Sequence, residues 1–195
     1  STTGVVTGVA AGSATITYTV TNGNGCSSAV TATVNVNSGA TATISVSGAT
    51  TFCSGGFVVL TASAGSTYDW SNGAQTPSIT VVAGGSYYVT VTNAAGCSAT
   101  SAATVVTVNP LPAVAALTGA TNVCSGSTTQ LASATTGGVW TSSDASIATV
   151  STTGVVTGVA AGSATITYTV TNGNGCSTAV SALMNVNQGV TATVT

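Results

Sequence analysis

The sequence predicts an all-β chain of tandem antiparallel β-sandwiches arranged as an extended array, and three observations carry that reading. Short runs rich in Val, Thr and Ile recur roughly every 8 to 12 residues with Asn/Gly turn signals between them. A long segment of the chain appears twice. No segment shows helical periodicity, and no apolar stretch approaches the ~20 residues needed to cross a bilayer. The mean hydropathy of +0.55 comes from Ala and Val in short alternating runs.

The repeat organises everything else. Residues 1 to 27, STTGVVTGVAAGSATITYTVTNGNGCS, recur unchanged as 151 to 177, a period of 150. Over the overlap of 45 residues only positions such as Ser28/Thr178, Thr33/Leu183, Val34/Met184, Ser38/Gln188 and Ile44/Val194 differ. The chain is expected to be one period and a third of a longer array. A weaker duplication lies inside the period: GATTFCSGGFVVL at 48–60 matches GATNVCSGSTTQL at 119–131, offset by 71 residues. Two related domains therefore alternate. The expected boundaries are 1–38 for the end of a longer domain, 39–110 for a shorter one, 111–188 for a complete longer one, and 189–195 for the start of the next repeat. The cysteines of the longer type, Cys124 and Cys176, are 52 positions apart, and those of the shorter, Cys53 and Cys97, are 44 apart. The extra length is placed at the STTGVVTGVAAG hairpin.

Individual elements follow from alternation. In SATITYTVTNGNG, Ile166, Tyr168 and Val170 share one face and Thr165, Thr167 and Thr169 the other, an amphipathic strand of period two. The matching SYYVTVTNAAG directs Tyr87, Val89 and Val91 inward, and both strands end in Asn/Gly turns suited to positive φ. CSTAVSALMNVN and CSATSAATVVTVN return as a further strand. Trp70 and Trp140, 17 and 16 residues after the first cysteine of each domain, are expected to fill cores. Asn37 to Gly39 and the NPLP segment at 109–112 are the expected junctions, Pro110 and Pro112 favouring an extended link.

Composition excludes most chemistry. Lys, Arg, His and Glu are absent, leaving Asp69, Asp144 and five cysteines as the side chains able to work near neutral pH. No base is present to activate the many hydroxyls, so the chain is not expected to be an enzyme and no catalytic residue is assigned. A net charge of -2 disfavours nucleic acid, and no membrane insertion is expected. No metal site is expected: there is no C-x-x-C pair or His for zinc, and the two carboxylates stand singly in their domains, too few for calcium. No cofactor is implied. The lack of Lys rules out Lys–Asn isopeptide bonds, and no N-x-S/T sequon occurs. Asp144, in TSSDAS, is expected to form an Asx-turn.

The segment from Trp140 to Val150, followed by Gly154 to Thr167, resembles the bacterial Ig-like group 2 domain, whose hallmark is a W-x-S-S-x-x-x-x-A-T-V segment leading into G-V-V-T-G-V-x-x-G-x-A-T-I-T. The shorter domain, with FCSGG, STYDWSNG, SITV and YYVTVTNAAGCSA, is similar to Ig-like or polycystic-kidney-disease-type repeats of very large Bacteroidota surface proteins, gliding-motility adhesins among them. The resemblance implies an extracellular string of Ig-like modules at the cell surface. The cysteines fit an exported setting. Their matched places in the two domains predict Cys53–Cys97 and Cys124–Cys176 disulfides, with the partner of Cys26 outside the chain. The function expected is a structural repeat of a giant adhesin or extracellular filament, a stiff disulfide-stapled stalk whose partners are neighbouring copies of itself. Two alternatives stand beside it. One is a repeated glycan-binding module, with Tyr68, Asp69 and Tyr88 as candidate contacts. The other is binding to ice or a crystal surface through T-x-T triplets such as Thr41-Ala42-Thr43, Thr165-Ile166-Thr167 and Thr191-Ala192-Thr193.

Overall fold

The computed structural model describes residues 4–189, and the start of the next repeat expected at 189–195 lies, apart from Gly189, outside them, as does the last T-x-T triplet. The chain is all-β, as expected, in two compact units, Ser1–Val108 and Asn109–Thr195.

The first unit opens with a two-stranded ribbon of β1 (Gly12–Thr21) and β2 (Ser27–Val36), paired antiparallel from Gly12↔Val36 to Thr21↔Ser27. It continues with β3 (Ile44–Val46), β4 (Thr51–Cys53), β5 (Val58–Ala62), β6 (Thr67–Trp70), β7 (Ser78–Val81), β8 (Gly85–Tyr87), β9 (Val89–Thr92), β10 (Ser98–Thr100) and β11 (Thr104–Asn109). These form sheets ordered β3-β5-β7, β10-β9-β6 and β4-β11-β8. Their inward positions supply one core of Val58, Leu60, Trp70, Ile79, Val81, Val89, Val91 and Val106. Trp70 is sealed in it, with its indole N–H donating to the Thr76 carbonyl at 2.8 Å, so an apolar ring is buried without stranding its one polar atom.

The second unit holds β12 (Asn122–Cys124), β13 (Thr128–Gln130), β14 (Val139–Ser142), β15 (Ala148–Val150), β16 (Val155–Gly158), β17 (Gly162–Thr171) and β18 (Ser177–Asn187). A sheet ordered β12-β18-β17-β14 faces one ordered β13-β16-β15, a two-layer sandwich. Along β17 the alternation holds without a break: Ala164, Ile166, Tyr168 and Val170 are buried and Thr165, Thr167 and Thr169 lie on the outer face. The core is Val123, Leu131, Ala148, Val156, Ala164, Ile166, Met184 and Val186. β15 and β16 form the hairpin expected at STTGVVTGVAAG, and Gly154 at its turn has φ +85°.

Two features differ from the sequence reading. The run SYYVTVT is not one strand: β8 pairs with β11 and β9 pairs with β6 and β10, so the chain changes sheets at Tyr88. The return run splits likewise into β10 and β11 around Ser101, whose hydroxyl accepts the Val89 N–H at 3.1 Å while its own N–H donates to the Val89 carbonyl. A side chain there replaces a ladder bond, which lets the strand leave the sheet without orphaning the backbone. Trp140, expected like Trp70 as core filler, does pack against the second core but at its edge, half buried, its ring centroid 4.6 Å from that of Tyr168.

The repeated hairpin is found in two different settings. β1–β2 and β17–β18 have the same sequence through their turn and the same register, Gly12↔Val36 matching Gly162↔Val186. In the second unit the hairpin is one wall of a core, with Tyr168 5% exposed; in the first, Tyr18 is 68% exposed.

Candidate functional site

The outer face of the β10-β9-β6 sheet is where the candidate contacts gather. Register places Thr67 opposite Thr92, Asp69 opposite Thr90, and Trp70 opposite Val89. Backbone pairing continues one step further, the Ser71 N–H donating to the Tyr88 carbonyl at 2.9 Å. Since successive side chains alternate between faces, Asp69, Ser71, Tyr88, Thr90 and Thr92 share the face opposite the core. Thr90 and Thr100 hydroxyls lie 3.0 Å apart, and those of Thr92 and Ser98 lie 2.9 Å apart. The result is a hydroxyl-lined surface with one carboxylate and one exposed tyrosine. Chemically it can accept and donate hydrogen bonds to polyols and offer one ring for stacking.

Tyr68, expected beside them, is not on that outer face, although it lines a groove together with Asp69. It points to the inner side against the core, and its hydroxyl donates to the Gly65 carbonyl at 3.2 Å and accepts the Gly65 N–H at 3.1 Å. Alternation alone could have shown this, since Tyr68 and Trp70 must face the same way. A groove of about 490 Å³ lies alongside, lined by Ser66, Thr67, Tyr68, Asp69, Gln75 and Pro77. Among the described residues no group of three or more His, Cys, Asp or Glu comes together to hold a metal ion.

Asp144 forms the expected Asx-turn. Its carboxylate accepts the Ser146 hydroxyl at 2.6 Å and the Ser146 N–H at 2.9 Å, and these bonds to the charged form hold its carboxyl below the ordinary value of 3.8.

The cysteines require a correction. Cys26, Cys97 and Cys124 are free thiols, whereas Cys53 and Cys176 are disulfide-bonded, so neither Cys53–Cys97 nor Cys124–Cys176 is formed. Strand direction is the reason. β12 runs parallel to β18 with Cys124 beside Asn187, while Cys176 precedes Ser177 at the other end of the same strand. Eleven strand positions separate the two ends, about 36 Å at ~3.3 Å per residue. A disulfide needs Cα atoms within about 7 Å. The sequence shows matched cysteine spacing in both domains, but nothing in that spacing reveals that the early strand runs alongside the last one in the same direction.

The late cysteines sit in a turn built by the preceding asparagine. The Asn172 side-chain carbonyl accepts the N–H groups of Asn174 and Cys176, and Asn93 does the same for Ala95 and Cys97. The amide nitrogen of each ties the turn to the chain just arriving in its domain, Asn172 to the Pro110 carbonyl and Asn93 to the Ser38 carbonyl, both at 2.9 Å. Cys176 Sγ lies 4.0 Å from the Asn109 carbonyl oxygen.

Among solved structures, the chain is similar to a Ca2+-stabilized adhesin of an Antarctic bacterium that binds ice, at 16% identity and a TM-score of 0.39, over 92% of this chain and 58% of that one. It is similar to a 1.5-MDa bacterial ice-binding adhesin at 17% identity and a TM-score of 0.39, over 91% of this chain and 75% of that one. A third is the surface layer protein SbsC, domains 4 and 5, at 24% identity and a TM-score of 0.26, over 67% of this chain and 82% of that one. The chain thus spans little more than half of the first adhesin structure. No curated protein matches the sequence. Residues 102–181, which take in β11 to β17 and the start of β18, match the family model of the bacterial Ig-like domain (group 2).

Proposed function

We propose that this chain is a structural repeat of a giant exported adhesin or extracellular filament, a stiff stalk at the cell surface whose partners are neighbouring copies of itself. One observation carries the reading: a sequence repeated at a period of 150 residues is repeated in structure as the same hairpin in the same register. Copies of an identical module add length, and a periodic chain has no other use for near-identity as direct as that. The group 2 Ig-like match, the disulfide bonding of Cys53 and Cys176 and the shortage of acid/base groups support an exported, non-catalytic role. The resemblance of the shorter domain to Bacteroidota repeats extends the proposal to a gliding-motility-type adhesin. The test is to image native material released from cells: regularly spaced domains along a fibre are expected, and a compact globular particle would overturn the stalk.

A second reading, glycan binding, is favoured by Asp69 and Tyr88 sharing one hydroxyl-lined face. Glycan-array binding that disappears in both Asp69→Asn and Tyr88→Ala would establish it. Uniformly negative arrays would remove it.

A further inference from the structure

Each complete domain carries its two cysteines at opposite ends. In the second unit Cys176 lies at the leading end, where its turn is tied to Pro110 and its sulfur approaches Asn109, while Cys124 lies at the trailing end beside Asn187, where the chain leaves the last strand. The shorter domain repeats the plan. Cys97 sits in a turn tied to Ser38, the last residue before that domain, and Cys53 ends β4, just before which the Thr50 carbonyl accepts the Thr107 N–H of the last strand at 2.8 Å. That bond has its counterpart in the second unit, where the Thr121 carbonyl accepts the Asn185 N–H at 2.8 Å.

We propose that Cys124, at the trailing end of its domain, is a junction residue that bonds to Cys97 of the following copy. The proposal rests on the tandem-array reading above. Three observations meet in it. Opposite ends of a sandwich cannot bond to each other, so an intradomain staple is closed to Cys124 and Cys176. Cys53 and Cys176, which occupy the trailing-end and leading-end positions in their own domains, are disulfide-bonded, and Cys124 and Cys97 are their counterparts in the other domain type. Cys124 is exposed and Cys97 half exposed, as a thiol awaiting a neighbour must be. The bond forms by thiol–disulfide exchange with a low-molecular-weight disulfide: the two cysteines lose two protons and two electrons, and the oxidant leaves as two thiols. In an array the junction between successive copies then carries a covalent clasp, so pulling force crosses that linker through two paths.

The experiment uses the chain extended by one period, so that a Cys124 is followed by a second Cys97, refolded with oxidised glutathione and mapped without reduction by a protease that cuts at aromatic and apolar residues. The expected result is a Cys124–Cys97 peptide that persists when the first copy's Cys97 is changed to Ser and disappears when the second copy's is. A Cys124–Cys176 or Cys53–Cys97 peptide, or a Cys124 thiol that stays fully alkylatable after oxidation, would overturn the assignment. Small-angle scattering of the same sample separates this claim from the one it rests on. An elongated particle with Cys124 unbonded defeats the junction assignment alone, and a Cys124–Cys97 bond in a compact particle defeats the stalk alone.

Discussion

Replacing Ile166 and Ile16 by Ala, one at a time, sets the same local sequence in two environments. Ile166 is fully buried in the second unit's core, whereas Ile16 is 39% exposed on the β1–β2 ribbon. Truncating a sealed isoleucine removes its transfer free energy and leaves a cavity, about 3–5 kcal/mol at a site with no exposure. Both substitutions also lose strand propensity, up to ~1 kcal/mol, but because residues 1 to 27 and 151 to 177 are identical this part cancels in the comparison. The difference left, about 3–5 kcal/mol less whatever the partial burial of Ile16 supplies, reports tertiary burial alone. For a unit of this size each kcal/mol moves Tm by about 4–8 °C, so calorimetry should show the second unit's transition lowered by about 12 °C or more in Ile166→Ala. Ile16→Ala should leave it in place. Equal losses from the two variants would refute the reasoning, since they would require the ribbon to be covered by a core as the second hairpin is. In a chain extended upstream by one period, Ile16→Ala should become as costly as Ile166→Ala.

Tyr168→Phe strands the Gly138 N–H and the Thr135 carbonyl that the hydroxyl now satisfies at 2.8 and 2.9 Å, a loss of about 1–3 kcal/mol in chemical denaturation, while Tyr18→Phe should be silent. Gly154→Ala forces a Cβ to 2.4 Å from the Leu131 carbonyl oxygen at φ +85°, so the β15–β16 hairpin should lose hydrogen-exchange protection along with global stability. Asp144 has a folded pKa below 3.8, so whatever stability it supplies is complete above its unfolded value and is lost as pH falls through the lower folded value; NMR titration should place its midpoint below 3.8, and Ser146→Ala should raise it.

How far the sequence could be read depended on whether a feature lived in one strand or between strands. The burial of Ile166, Tyr168 and Val170 follows from alternation, because side-chain direction is a property of the strand itself. The turn at Asp144 likewise needs only residues within two positions. Tyr68 faces the core side because it lies two positions from Trp70 on β6, so strand alternation rather than aromatic character decides its exposure. The changes of sheet at Tyr88 and Ser101 escaped because they depend on which strand offers the next partner, and Ser101 gives no local sign that it will take the place of a ladder bond. The cysteines failed for the same kind of reason. Equal spacing in two domains says that they are built alike, and only the parallel register of β12 on β18 says that the early cysteine is at the far end.

The last expectation concerns association between rods, and it follows from how these sheets end. Strands that border a sheet expose unpaired N–H and carbonyl groups, and soluble β proteins guard them with Lys, other charges, bulges or Pro. Here β14 and β12 border one sheet and β13 and β15 the other, and neither Lys nor Arg exists in the chain to guard them. The single carboxylate of the second unit, Asp144, is held in its own turn three residues after Thr141 rather than projecting from a strand. The outer face of β17 and β18 presents Thr165, Thr167 and Thr169 opposite Leu183, Ser181 and Ala179, with Leu183 57% exposed. Two such faces meet with no charge repulsion, so lateral contact between copies needs only close packing and hydroxyl hydrogen bonds. Screening has nothing to act on, so the association should be as strong at ~1 M salt as at ~0.01 M, where the Debye length is about ten times longer. Mass per length measured on native fibres should exceed that of a single string of domains and stay constant across that range of salt. A value equal to one string at every salt and protein concentration would show that hydration of the Ser and Thr hydroxyls keeps the rods apart.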